Sequence, residues 1–162
     1  MAERSTHTFF SLAGRPLQFG LFMLRQLPAA WFSGVRLVYL KERECRVSVP
    51  YKWFTRNPFR STYFACLAMA AEMSTGLLAM AHIYGRKPGV SMLVTGIEGS
   101  FHKKATSRSE FTCLDGQAIA DAIELAVTSG EPQSYAAVST GHNEKGEVVA
   151  VFRIMWSFKA RK

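Results

Sequence analysis

The sequence predicts an α+β fold in which an antiparallel sheet of about five or six strands wraps one long buried helix. Three observations carry this reading. Residues 63–81 (YFACLAMAAEMSTGLLAMA) form an apolar run of 19 residues with a single charge, Glu72. Short segments of β-type alternation flank that run on both sides. At 162 residues and 48% hydrophobic composition, the chain suffices for one domain with a full core and falls short of two ordinary ones. A helix apolar on every side needs cover on every side, which a curved sheet or a second subunit supplies.

In chain order, residues 1–14 read as a flexible leader: charges at Glu3 and Arg4 and the lack of a continuous apolar stretch argue against a signal peptide. Residues 15–162 then form a single domain, because no repeat, low-complexity run or Pro/Gly linker divides them. Within residues 16–33, Leu17, Leu21, Leu24 and Leu27 recur at helical spacing, and Pro28 marks a stop; this reads as a short amphipathic helix. Residues 35–40 (VRLVYL) and 45–49 (CRVSV) alternate as strands around the polar turn 41–44, a β-hairpin. The long helix follows, with Asn57-Pro58 or Ser61 as its cap and Gly85 and Pro88 as its stop. Residues 90–98 and 109–114 have strand composition, with the basic residues Lys103, Lys104 and Arg108 between them. An extra helix is expected near 115–130, where Ile119, Ile123, Ala126 and Val127 share a face, Asp115 caps the start and Gly130 ends it. The last hairpin, 133–140 and 147–158, places Val148, Ala150, Phe152, Ile154, Trp156 and Phe158 on one face that a core must cover.

Composition narrows the function classes. The net charge of +8 is concentrated: residues 1–60 carry 10 Lys and Arg against 3 Glu. Such a basic third suits an anionic partner, be it nucleic acid, a membrane surface or a phosphorylated ligand. No RNP-like or other basic-aromatic motif marks a nucleic-acid platform, and none is expected as partner. Residues 63–81 are long enough to imitate a membrane span, yet a carboxylate at the centre of a bilayer costs a few kcal/mol. They read as a buried helix, without stable membrane insertion. Cys45, Cys66 and Cys113 have spacings that give neither a disulfide framework nor a CxxC site, which fits a reducing cytoplasm. His82, His102 and His142 lack metal-ligand spacing, so no metal is expected.

Strands, then Asn57, then a long buried helix, then antiparallel strands ending in GEVVAVFRIMW resemble the hot-dog fold of the acyl-CoA thioesterases, and more narrowly the hot-dog family labelled DUF4442. The resemblance spans roughly residues 30–158. In the phenylacetate-pathway type of hot-dog thioesterase, an Asn or Gln before the helix is followed by a His-Gly-Gly turn and then a catalytic Asp or Glu. Asn57 and Glu72 match the first and last positions; Tyr63, Phe64 and Ala65 stand where the His-Gly-Gly turn is expected.

This resemblance implies an acyl thioester such as acyl-CoA as ligand, coenzyme A entering as part of the substrate and no separate cofactor, and a homodimer or dimer of dimers. Thioester hydrolysis needs a carboxylate to act as nucleophile or to activate water, and donors for the oxyanion. Glu72 is the candidate carboxylate, with Asn57 orienting water or the carbonyl, and the amides of Tyr63 and Phe64 as donors at the helix start. Ser61, Tyr63, Phe64 and Thr75 are candidate pocket residues, and Lys103 and Lys104 are placed to meet coenzyme A phosphates. Each has a structural alternative: a buried hydrogen-bonded glutamate, a capping asparagine or serine, packed aromatic rings and a solvated basic loop. A non-catalytic acyl- or lipid-binding protein is the competing functional reading.

Overall fold

The computed structural model describes residues 9–161. Of the segment expected to be a flexible leader, residues 9–13 are helical and Phe9 is fully buried, its ring 5.4 Å from that of Tyr84; residues 1–8 lie outside the described ones. Two helices follow, α1 (Pro16–Gln26) and α2 (Pro28–Ser33). They divide residues 16–33 at Leu27 because Pro28 has no N–H to continue α1 but suits the first position of α2. The leucine stripe does not face the core: Phe19 and Met23 are the buried positions of α1, and Leu17, Leu21, Leu24 and Leu27 point outward.

Strands β1 (Arg36–Leu40) and β2 (Cys45–Val49) form the expected hairpin. The central helix, α3 (Phe64–Ile83), starts later than the proline and serine signals suggest, with Tyr63 at the N-cap and no side-chain cap. Then come β3 (Val90–Phe101), β4 (Ser109–Cys113), α4 (Gly116–Ser129), β5 (Gln133–Asn143) and β6 (Val148–Ala160). All six strands lie in one antiparallel sheet in the order β1-β2-β4-β5-β6-β3, so β1 and β3 are its two edges.

The sheet wraps α3, which packs on β1, β2, β4, β5 and β6 and is closed off by α2 and α4. Helix α3 is long and apolar enough to cross a membrane, but two thirds of its apolar window is buried inside the domain: it is the core helix. Small residues, Ala70, Ala71, Gly76 and Ala79, let the backbone approach the sheet; a Cβ at Gly76 would stand 3.3 Å from the Trp156 ring. Opposite α3, β6 buries Ala150, Phe152, Ile154, Trp156 and Phe158, as its alternation predicts, but not Val148, which is exposed beside the register shift at Gly141/His142 while Val149 is buried. Helix α4 buries Ile119, Ile123 and Ala126 and ends at Gly130 with φ 73°, a left-handed conformation glycine adopts without strain. Asp115 stands at the N-cap, as expected, but its side chain makes no capping bond: its carboxylate accepts from the Val138 amide at 2.7 Å and ties the helix start to β5. Cys45 and Cys113 are register partners across β2 and β4, and all three cysteines are buried and unbonded.

Candidate functional site

Between β2 and α3, Thr55 and Asn57 set the chain path. Thr55 Oγ1 donates to the Pro50 carbonyl at 2.7 Å, and the Thr55 carbonyl accepts from the Tyr63 amide at 2.7 Å. Asn57 does not cap the helix. Its Oδ1 accepts from the amides of Phe59 and Ser61 at 3.0 and 3.2 Å, and its Nδ2 donates to Ser61 Oγ at 3.0 Å, closing a turn in which Arg60 has φ 59°. This is the local side-chain-to-backbone pairing for which asparagine is favoured in turns. Thr62 then donates through both its amide and its hydroxyl to the Ala105 carbonyl, at 2.8 and 3.1 Å. That pair draws the loop after β3 onto the turn, so Lys103 and Lys104 stand beside the start of α3.

A cleft of about 500 Å³ results. Six of the eight residues singled out from the sequence line it: Asn57, Ser61, Tyr63, Phe64, Lys103 and Lys104. Phe59, Thr62, Phe101 and His102 line it as well: Phe59 and Thr62 from the Asn57 turn, where the sequence suggests a helix start instead, and Phe101 and His102 because β3 runs to Phe101, beyond the predicted strand. Phe101 stacks edge-on against Phe152 at 5.6 Å and anchors that wall to β6. Lys103 pairs with Glu147, whose carboxyl the Asn143 amide and then Lys103 hold below its ordinary value; Lys104 Nζ reaches the Phe59 carbonyl at 3.4 Å. The Tyr63 amide, expected as an oxyanion donor, is spent on Thr55, whereas the amides of Phe64 and Ala65 have no partner among the described residues. They lie at the positive end of a 20-residue helix.

Glu72 lies elsewhere. It lines a second, smaller pocket of about 270 Å³ between α3 and the α1–α2 junction, with Leu27, Ala30, Met69 and Met73. Burial pushes its carboxyl above the ordinary carboxylate value, and no counter-charge opposes the shift. Eight residues of α-helix separate it from Phe64, a rise of about 12 Å, so the single chain does not bring the carboxylate and the free amides to a common atom. Thr75, expected to touch substrate, is fully buried and engaged: its hydroxyl donates to the Glu72 carbonyl at 2.8 Å and accepts from Trp156 Nε1 at 2.9 Å. Among the described residues no cluster of three or more His, Cys, Asp or Glu is placed to hold a metal.

The family model described as "Domain of unknown function (DUF4442)" matches residues 17–157. No curated protein matches the sequence. Among solved structures, a Pseudomonas aeruginosa protein of unknown function described as a probable thioesterase superposes with a TM-score of 0.77 at 20% identity, covering 91% of this chain and 97% of that one. A Haemophilus influenzae thioesterase gives 0.65 at 13% identity, covering 90% and 91%. The Escherichia coli PaaI protein of the phenylacetic acid degradation operon gives 0.62 at 13% identity, covering 93% and 96%. At such identities these likenesses show the fold, the hot-dog arrangement of sheet around helix.

Proposed function

The chain belongs to the DUF4442 family, and from that premise we propose that it is an acyl thioester hydrolase of the cytoplasm, working as a homodimer with acyl-CoA as its substrate class and no separate cofactor. The observation that carries the reading is Glu72: the sole carboxylate of the core helix, half-buried in an apolar pocket, with burial raising its carboxyl and so its strength as a base.

The chemistry is economical. Glu72 takes a proton from water as the oxygen attacks the thioester carbonyl carbon. The tetrahedral oxyanion is held by the amides of Phe64 and Ala65, and its collapse breaks the C–S bond. The leaving thiolate receives the proton from Glu72, giving a carboxylic acid and a thiol. Because about 12 Å of helix separates base from donors, the site needs a second copy whose α3 runs antiparallel, so that the Glu72 of one protomer meets the helix start of its partner. The edge strand β3, on which Leu93, Ile97 and Phe101 are all exposed, is the surface proposed for that pairing. Lys103 and Lys104 rim the cleft where phosphates of coenzyme A would be held.

The exposed Phe64 ring, standing where the resemblance to phenylacetate-pathway thioesterases leads one to expect glycine, favours one alternative: an acyl-binding protein without turnover. Release of free thiol from a panel of acyl-CoA esters of graded chain length separates the two. Saturable hydrolysis of at least one ester supports the enzyme; co-purified acyl ligand with no thiol release from any ester supports the binding protein.

A further inference from the structure

We propose that the face built by α1, α2 and the short 3-10 turn at Trp53–Thr55 docks reversibly on an anionic phospholipid surface. On α1 the outward stripe is leucine where a surface helix ordinarily carries polar residues: Leu17 is 91% and Leu21 52% exposed, and Leu24 continues the row. Phe32 at the end of α2 is 61% exposed, and Trp53 in the 3-10 turn 77%. These segments adjoin, because a Cβ at Gly34, the residue ending α2, would meet Lys52 Nζ at 2.8 Å and Pro50 at 2.9 Å.

The charge around the apolar groups is of one sign. Arg15 and Arg25 flank the leucine stripe, and Lys52 and Arg56 bracket the 3-10 turn; all four are exposed and none is paired with a carboxylate among the described residues. No Asp or Glu occurs between Glu3 and Glu42, nor between Glu44 and Glu72. Leucine and aromatic side chains with unpaired basic residues at their border are what a helix lying in the headgroup region requires: the apolar groups enter the acyl boundary while the cations meet lipid phosphate. A second copy of this chain is a poorer occupant, since it brings the same excess of positive charge to the contact. Helix α1 also lies against β1, at the sheet edge opposite β3, so lipid docking leaves β3 free. The inference is independent of the hydrolytic reading.

The test is flotation of the full chain with vesicles of phosphatidylcholine alone and with vesicles of equal parts phosphatidylcholine and phosphatidylglycerol, at low and high salt. The expected result is binding to the anionic vesicles only, weakened by salt. Arg15→Gln with Arg25→Gln lowers partitioning by about an order of magnitude, and Leu17→Glu with Leu21→Glu abolishes it, with the circular dichroism of both variants unchanged. Failure to float with anionic vesicles overturns the proposal, as does equal binding to both compositions. A Leu17→Glu, Leu21→Glu protein that changes sedimentation but not flotation also overturns it, assigning the stripe to a contact between copies. Tight, salt-sensitive binding of a DNA duplex without vesicle binding overturns it in favour of nucleic acid.

Discussion

The indole N–H of Trp156 on β6 donates at 2.9 Å to the hydroxyl of Thr75 on α3, and that hydroxyl donates in turn to the backbone carbonyl of Glu72. The last strand of the sheet thereby fixes the helical turn that carries the candidate base. Thr75→Val keeps the shape but strands a buried indole N–H, which costs about 1–3 kcal/mol; Thr75→Ser retains the bond. Urea denaturation of the two variants should separate them by that margin, with hydrolysis following the stability of the Glu72 turn.

Glu72 itself gives a pH prediction. Its folded carboxyl titrates above the unfolded one because burial disfavours the charge. The native state therefore holds the proton longer, and this residue's contribution to stability falls as pH rises from the unfolded value through the folded one. Glu72→Gln removes the cost, so the variant should be more stable than wild type at pH 8, with the gap closing toward pH 4. Thermal unfolding across that range checks the sign.

Ser74 Oγ and Ser139 Oγ lie 2.7 Å apart, both fully buried between α3 and β5. Each single Ser→Ala change leaves the other hydroxyl with a lost partner and should cost about 1–3 kcal/mol. Ser74 retains its bond to the Ala71 carbonyl, so Ser139→Ala is the milder of the two. In a double-mutant cycle the combined cost should fall below the sum of the singles.

Gly141 on β5 accepts the Phe111 ring of β4 in the space a side chain would fill: a Cβ there would stand 2.5 Å from the ring. Gly141→Ala should destabilise by about 1–3 kcal/mol through overpacking, and Phe111→Leu in the same chain should recover part of it. Chemical denaturation of the single and double variants reads this directly.

The proposed dimer is tested at β3. Ile97→Lys introduces a charge at an exposed position of an edge strand that the pairing would cover. Sedimentation should shift from dimer to monomer and hydrolysis should fall with it, whereas Lys104→Gln should raise KM for acyl-CoA and leave the dimer intact.

Much of this architecture was legible in the chain because it rests on strong periodicities. Alternation over β6 reads as a sheet face and the apolar run with its lone charge in α3 as a buried helix, and apart from Val148 both stand where the pattern puts them. The errors share a cause. Leu17, Leu21, Leu24 and Leu27 formed a helical stripe, but aromatic Phe19 and Met23 on the far side took the core, and a pattern of apolar residues alone does not say which of two apolar faces is covered. Asn57 and Ser61 have cap chemistry but serve a turn, and Asp115 stands at its helix start with its carboxylate turned to a distant strand, since the same side-chain chemistry serves all three. Spacing along the sequence also sets Glu72 beside Asn57 in a family pattern, while the helical rise separates their pockets within the chain.

The most direct test of the account is the steady-state hydrolysis of the best acyl-CoA substrate by Glu72→Gln, with dimerisation verified by sedimentation. Loss of a general base should lower kcat by about a hundredfold or more while KM and the sedimentation of the dimer stay as in wild type. Hydrolysis by Glu72→Gln at the wild-type rate would contradict the assignment of Glu72 as the base.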